Sequence, residues 1–404
     1  MVSFIPLISL LTLYLTAVNA FGQDTCKSWK HSTLNLAHGK AEIEAAGYRS
    51  KKELNKIMPS ELGQAENGIY QYRLTYWTQL PDGFRKVSGL INVPDTCRLE
   101  YPLIAIQHGT ITANDSAPSQ SLSTGISESA LGFVTVAADY IGYGESGRTL
   151  HPYHIEKYYG PVIADAIQAS LAFAGKAGVS FEKFFLKGYS EGGYATLAAQ
   201  RYIESHHSSL TDKLTASAPS AGAYDMLATG FSLLKESQTQ PVNLLFVMFS
   251  YAYYYPGKIS LTSTIPKNII IRRNMFYGDY DYEFLTEILP HKTDLLVLPE
   301  FRKDYLSEAR RYMNGGAPPK SQVSKLLLAN SIGFGWKVKT LTRFYHCIDD
   351  KDVPIIGSKI AYKNLGKDNP LVSLEAIESS GQTPYTHYNC PARFTPVLWF
   401  KSLL

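Results

Sequence analysis

Polar and apolar positions alternate along Tyr70-Gln71-Tyr72-Arg73-Leu74-Thr75-Tyr76-Trp77, which predicts a strand with one face covered. Pro81-Asp82-Gly83 is turn chemistry, and residues 87–93 read as a second strand, so a hairpin is expected here. The pattern then changes. Residues 103–106 and 133–137 are short apolar runs of the kind that suits strands buried on both faces of a parallel sheet. Further strands are expected at 183–187, 214–218, 341–345 and 371–377. Helix-length segments lie between and after them at 162–174, 194–204, 358–364 and 394–404. Strands alternating with helices predict an α/β fold: a mostly parallel, doubly wound sheet.

Two stretches depart from that rhythm. Residues 21 to about 65 are polar and mixed, with a helix-like run at 41–46. From about Tyr224 to Val338 the pattern is one of helices and loops, too long for a simple crossover, which predicts an inserted helical cap. The expected organisation is therefore a core in two parts, 21–223 and 339–404, interrupted by a cap at 224–338. The first twenty residues read as an export signal: residues 4–18 are apolar apart from Ser9, Thr12 and Thr16, and Val18-Asn19-Ala20 is a small-residue cleavage site. That run is shorter than the ~20 residues a spanning helix needs, so no stable membrane span is expected and the chain is expected to be secreted or periplasmic.

Candidate chemistry begins at Lys187-Gly188-Tyr189-Ser190-Glu191-Gly192-Gly193. G-x-S-x-G here follows a strand-like run and precedes a helix-like one. A sharp strand-to-helix turn holds the serine in a strained conformation, so small residues must flank it. A serine hydroxyl needs a base to become a nucleophile. In folds with this elbow the order is serine, acid, histidine. Of the ten histidines only His346 and His387 lie beyond the expected cap, and His346 sits inside a strand-like run. His387 lies in a polar loop between the last strand and the final helix, where the base belongs. The acid is sought in His346-Cys347-Ile348-Asp349-Asp350-Lys351-Asp352-Val353-Pro354. The pattern H-G-x-x-D-x-x-V-P, common at this loop in hydrolases, selects Asp350, with Asp349 and Asp352 as alternatives; Cys347 stands where that pattern has Gly. Ile106-Gln107-His108-Gly109-Thr110 ends an early buried strand, which nominates the Thr110 and Glu191 backbone N–H groups as oxyanion donors. His108 precedes the serine and is read as structural.

These segments, with Asp139-Tyr140-Ile141-Gly142-Tyr143-Gly144-Glu145-Ser146 and His151-Pro152-Tyr153, resemble the α/β-hydrolase superfamily. Within it they resemble a secreted lipase/esterase family that includes the fungal secretory lipases. The resemblance spans roughly residues 66–404 and implies ester hydrolysis through an acyl-enzyme, with no metal or organic cofactor. The Gly142/Gly144/Gly147 segment is read as a flexible loop beside the oxyanion strand. His206-His207 and His151/His154/Glu156 lack a third metal ligand at suitable spacing and are read as surface residues. The apolar, aromatic stretch at 244–255 suits a fatty-acyl or aryl ester if it lies over the serine. A serine peptidase with the same triad is the nearest rival, and a non-catalytic binding protein on the same scaffold is a rival of another class.

Composition adds exclusions. A net charge of +4 without a Lys/Arg stripe gives no reason to expect nucleic acid as a partner; a small-molecule or lipid ester is the expected one. Four cysteines after an export signal permit two disulfides. Cys347 lies three residues before Asp350 and Cys390 three after His387, so contact between that acid and base would bring the cysteines into bridging range. Cys26 and Cys97 pair by exclusion. Asn114-Asp115-Ser116 is a glycosylation sequon, meaningful in a eukaryotic secretory pathway.

Overall fold

The computed structural model describes residues 32–404 apart from 182, 236–239 and 382. The proposed export signal and Cys26 lie outside the described residues. Among those described, no helix is long and apolar enough to cross a membrane.

One ten-stranded sheet organises the chain: β1 (Ser32–Leu36), β2 (Gly39–Arg49), β3 (Ile69–Leu80), β4 (Gly83–Pro94), β5 (Leu103–Gln107), β6 (Val134–Ala138), β7 (Phe184–Tyr189), β8 (Leu214–Ser220), β9 (Leu341–Cys347) and β10 (Val372–Ile377). Their spatial order is β1-β2-β3-β4-β6-β5-β7-β8-β9-β10. The first four strands form an antiparallel meander, β4 pairs antiparallel with β6, and every pairing from β6 to β10 is parallel. Pro81-Asp82 turns the β3–β4 hairpin, whose register closes on Leu80 opposite Gly83.

The strand pleat sends alternate residues to two cores. Phe184 and Leu186 of β7 join the larger core with α1 (Glu156–Lys176) and α2 (Glu191–His206). Phe185, between them, joins Ile104, Phe133, Ala216 and Tyr345 under the carboxyl-terminal helix, against Val397 and Phe400. Helices therefore cover both faces.

Residues 41–46, expected to be helical, are strand. Ala41 and Ile43 are buried while Lys40, Glu42 and Glu44 are exposed, a period of two, and Ile43 faces Leu74 of β3. Pairing with an existing sheet edge overrides the helix propensity of Ala and Glu, because strand preference is set by cross-strand packing.

Among the described residues, no strand lies between β8 and β9. That segment carries α3 (Met226–Leu233), α4 (Pro241–Tyr254), α5 (Tyr282–Ile288), α6 (Pro299–Met313) and α7 (Gln322–Ala329). The chain returns to the sheet through β9, followed by α8 (Ile356–Leu365) between β9 and β10, and closes with α9 (Pro396–Lys401). Since β5 leads to β6 on one side and β7 on the other, the carboxyl ends of β5 and β7 flank a topological switch point, the place where open α/β sheets bind ligands.

Candidate active site

Ser190 sits between β7 and α2 at φ 62°, ψ −124°, a conformation costing an L-residue about 1–3 kcal/mol. Two main-chain bonds hold it there: Ser190 N–H donates to Ser220 O at 3.0 Å, and Gly193 N–H donates to Ser190 O at 2.9 Å. The turn leaves no room for side chains beside it. A Cβ at Gly192 would lie 2.0 Å from Gln107 O, and one at Gly193 2.1 Å from Ser220 O. The small residues in the motif are thus required by neighbouring strands as well as by the turn itself. The loop after β5 comes alongside, with the Cβ position of Gly109 3.9 Å from Ser190 Cβ.

At the carboxyl end of β9, the Asp350 carboxylate meets His387: His387 Nδ1–H donates to Oδ2 at 2.6 Å. The other oxygen, Oδ1, accepts the backbone N–H groups of Asp352 (3.0 Å) and Val353 (2.9 Å). Burial opposes ionisation of Asp350, but hydrogen bonding to His346 and His387 outweighs it and holds the carboxyl down at about 2. His346 is buried inside β9 and braces the same loop. Its Nε2–H donates to Val353 O at 2.7 Å, and Ser358 Oγ donates to its Nδ1 at 2.7 Å. Of the other aspartates, Asp349 accepts from Ser379 Oγ, and Asp352 lines the cavity described below.

His387 is clasped from the elbow. Tyr189, the residue before Ser190, donates its hydroxyl to His387 O at 2.7 Å, and the two rings lie 4.8 Å apart. The expected Cys347–Cys390 disulfide is present, with Cα atoms 6.0 Å apart, so the loops carrying Asp350 and His387 are covalently joined. Cys97 is also disulfide-bonded; Cys26, its expected partner, is outside the described residues. His387 Nε2 is buried and has no hydrogen-bond partner among the described residues, so no bond to Ser190 is formed. Bonds of this kind are often long in an unliganded site and tighten around substrate.

The side chain of Glu191 turns inward, away from the role given to its N–H. It is 2% exposed and accepts from His151 Nε2 at 2.7 Å and from the Tyr159 hydroxyl at 2.8 Å. His151 Nδ1 lies 2.7 Å from Ile141 O, so both ring nitrogens are held in place. Burial pushes the Glu191 carboxyl up, but His151 more than offsets it and the net displacement is downward. His151 and His154, expected at the surface, are buried at 1% and 5%. The signal that would have found them is their setting, a His-Pro-Tyr-His run just after a glycine-rich loop, where buried imidazoles commonly satisfy loop carbonyls. Thr110 Oγ1 lies 2.8 Å from the Tyr153 hydroxyl, which ties the loop after β5 to the same cluster.

The glycine loop read as flexible is firmly packed. Tyr140, Ile141 and Tyr143 are buried, and Asp139 beneath them accepts from Ser119 N–H (2.8 Å), Ser88 Oγ (2.5 Å) and Ser119 Oγ (2.5 Å). Gly144 N–H donates to the sequon side chain, Asn114 Oδ1, at 2.7 Å. His108 stacks on Tyr140 with its nitrogens against Gly109 O and Asp139 O, and burial lowers its pKa.

A cavity opens from Ser190 into the helical segment. Tyr153, Asn243 and Asp352 lie on its lining with Ser190, and its apolar wall includes Met226, Leu234, Leu244, Val247, Phe301 and Leu327. Only one side of α4 contributes. Phe246 stacks on Tyr153 at 4.7 Å and Phe249 packs on Phe276, both fully inside, while Tyr253 is half exposed. The aromatic run thus divides between packing and surface, and Asn243, Leu244, Val247 and Met248 are the α4 residues that face the cavity.

Residues 120–232, which include the elbow, match the prolyl oligopeptidase family. No curated protein sequence matches the chain. Among solved structures, a hydrolase of Legionella pneumophila described as putative is similar over 89% of this chain and 97% of its own, at 23% identity and a TM-score of 0.79. A rice cell wall degrading esterase, LipA of Xanthomonas oryzae, is similar over 92% and 95%, at 21% identity and 0.73. Candida antarctica lipase A in its closed state is similar over 89% and 81%, at 16% identity and 0.62. The chain therefore has the α/β-hydrolase fold, with an architecture similar to that of a bacterial esterase and a fungal lipase.

Proposed function

We propose that this protein is a secreted serine carboxylic-ester hydrolase of lipase/esterase type, with Ser190, His387 and Asp350 as its triad. The observation that carries the reading is the Asp350–His387 bond of 2.6 Å, held beside a strained Ser190 by Tyr189. His387 takes the Ser190 proton as the hydroxyl attacks the ester carbonyl, and Asp350 stabilises the imidazolium. The Thr110 and Glu191 N–H groups receive the oxyanion, each contributing about 3–4 kcal/mol in the transition state. His387 then protonates the leaving alcohol and activates the water that releases the acid.

An apolar cavity running from Ser190 supports a fatty-acyl substrate, and residues 224–338 act as the cap that selects it. The disulfide between the acid and base loops fits an oxidising, extracytoplasmic location. A second reading, a serine peptidase, is favoured by the prolyl oligopeptidase match across the elbow. A panel of p-nitrophenyl esters of rising chain length, run beside peptide anilides, separates the two. A fluorophosphonate probe is expected to label Ser190, and Ser190→Ala to lower ester turnover by roughly 10⁴- to 10⁶-fold. A folded protein that is not labelled, or an active Ser190→Ala variant, removes the reading.

A further inference from the structure

Asp352 takes no part in the chemistry above, yet it stands at the reacting end of the cavity. Its backbone N–H donates to Asp350 Oδ1, so the loop that carries the acid fixes its place. It lines the cavity with Ser190, Tyr153 and Asn243. It interacts electrostatically with His387, Tyr189 and Tyr282, and the Tyr282 hydroxyl donates to Asn243 on the same lining. The second carboxylate on the lining, Glu191, is turned into its bond with His151. Beyond this end the wall is apolar, with Leu244, Val247, Phe301 and Leu327.

We infer that Asp352 is a charge filter: it disfavours anionic acyl groups and expels the carboxylate that hydrolysis produces. The inference rests on the ester-hydrolase reading. In the final step water adds to the acyl carbon and the bond from that carbon to Ser190 Oγ breaks. One water proton returns to Ser190 through His387, and the acid released gives up the other to solvent. The ligand enters neutral and leaves as an anion inside a largely apolar cavity, where a fixed carboxylate acts on it over several ångströms with little screening. Substrate affinity is untouched by that field, whereas product affinity falls. Such an arrangement answers a problem intrinsic to an apolar acyl site, which binds the product's chain as well as the substrate's.

The test is inhibition of p-nitrophenyl butyrate hydrolysis by decanoate and by decanamide, a neutral ligand of equal chain length, in wild type and Asp352→Asn. Decanoate inhibition is expected to tighten by about tenfold or more in the variant, by loss of like-charge repulsion, while decanamide inhibition changes by less than about twofold, as a neutral ligand should. Parallel shifts for both ligands, or no tightening of decanoate, overturn the inference and leave a packing role. Asp352→Ser is read in the same way if Asp352→Asn does not fold. A wild-type protein that hydrolyses no ester refutes the underlying reading first, and decanoate and decanamide titrations by calorimetry then still report whether Asp352 repels an anion.

Discussion

His151→Phe keeps a ring among Tyr140, Tyr153 and Phe246 but removes the hydrogen-bond donor opposite Glu191. A buried carboxylate that loses its partner typically costs about 3–5 kcal/mol. The variant has one escape, which is to protonate Glu191. From an ordinary value of 4.5, protonation at pH 7 costs about 1.36 × 2.5, or about 3.4 kcal/mol, and at pH 5 only about 0.7 kcal/mol. The cheaper route sets the result, so the destabilisation should be about 3 kcal/mol at pH 7 and about 1 kcal/mol at pH 5. The sign follows from Glu191 being held below its usual range in the wild type: its contribution is present above the unfolded value and is lost only as pH falls through the lowered one. Urea unfolding of wild type and variant at pH 5, 6, 7 and 8 measures the slope. The double variant Glu191→Gln/His151→Phe carries no buried carboxylate at this pair, and its cost should not rise with pH. Because Glu191 opens α2 beside Ser190, ester turnover should also fall in the single variant. A His151→Phe cost below about 1 kcal/mol at pH 7, or one equal at every pH, would refute the idea that His151 holds the Glu191 carboxylate in its charged form.

Other expectations concern the loops and the cavity. Asp350, held at about 2 against an ordinary 3.8, should contribute about 2 kcal/mol of stability that is full above pH 4 and disappears as pH falls through 2; the gap between wild type and Asp350→Asn in urea unfolding should narrow over that window and nowhere above it. Replacing both Cys347 and Cys390 by Ala opens a link across a sequence separation of 43, worth about 4 kcal/mol by loop-closure entropy, and should lower kcat more than it raises KM, as measured with p-nitrophenyl butyrate. Met248→Trp, on the cavity side of α4, should shift preference toward short acyl chains by about 10-fold or more in kcat/KM, whereas Tyr253→Ala, half exposed, should leave the chain-length profile as it is.

The parallel strands could be read from the chain because burial on both faces leaves no alternation to interpret; Leu103–Gln107 and Phe184–Tyr189 fall within a residue or two of their expected bounds. The β2 segment could not, since Ala41-Glu42-Ile43-Glu44 satisfies helix propensity and becomes strand only when β3 is there to pair with it. Chain order and loop register nominated Asp350 and His387 before any contact was known. The Glu191–His151 pair was hidden for a different reason: its members are forty positions apart, and their meeting depends on how a loop packs under a helix. The orientation of α4 was equally illegible, because an almost wholly apolar helix gives periodicity no contrast from which to tell cavity from core.

The sheet order has a bearing on when the site of such a molecule is assembled. Ser190 and its turn lie in the first half of the chain, braced by Gln107 and Ser220, while Asp350 and His387 arrive only with the last two strands and the loop beyond them. A nascent chain on the ribosome can therefore form the Ser190 turn long before it contains Asp350 and His387, and the bridge that fastens their two loops waits on an oxidant as well as on synthesis. On the proposed reading of the site, translation and thiol oxidation together act as a timer that sets when its three residues meet.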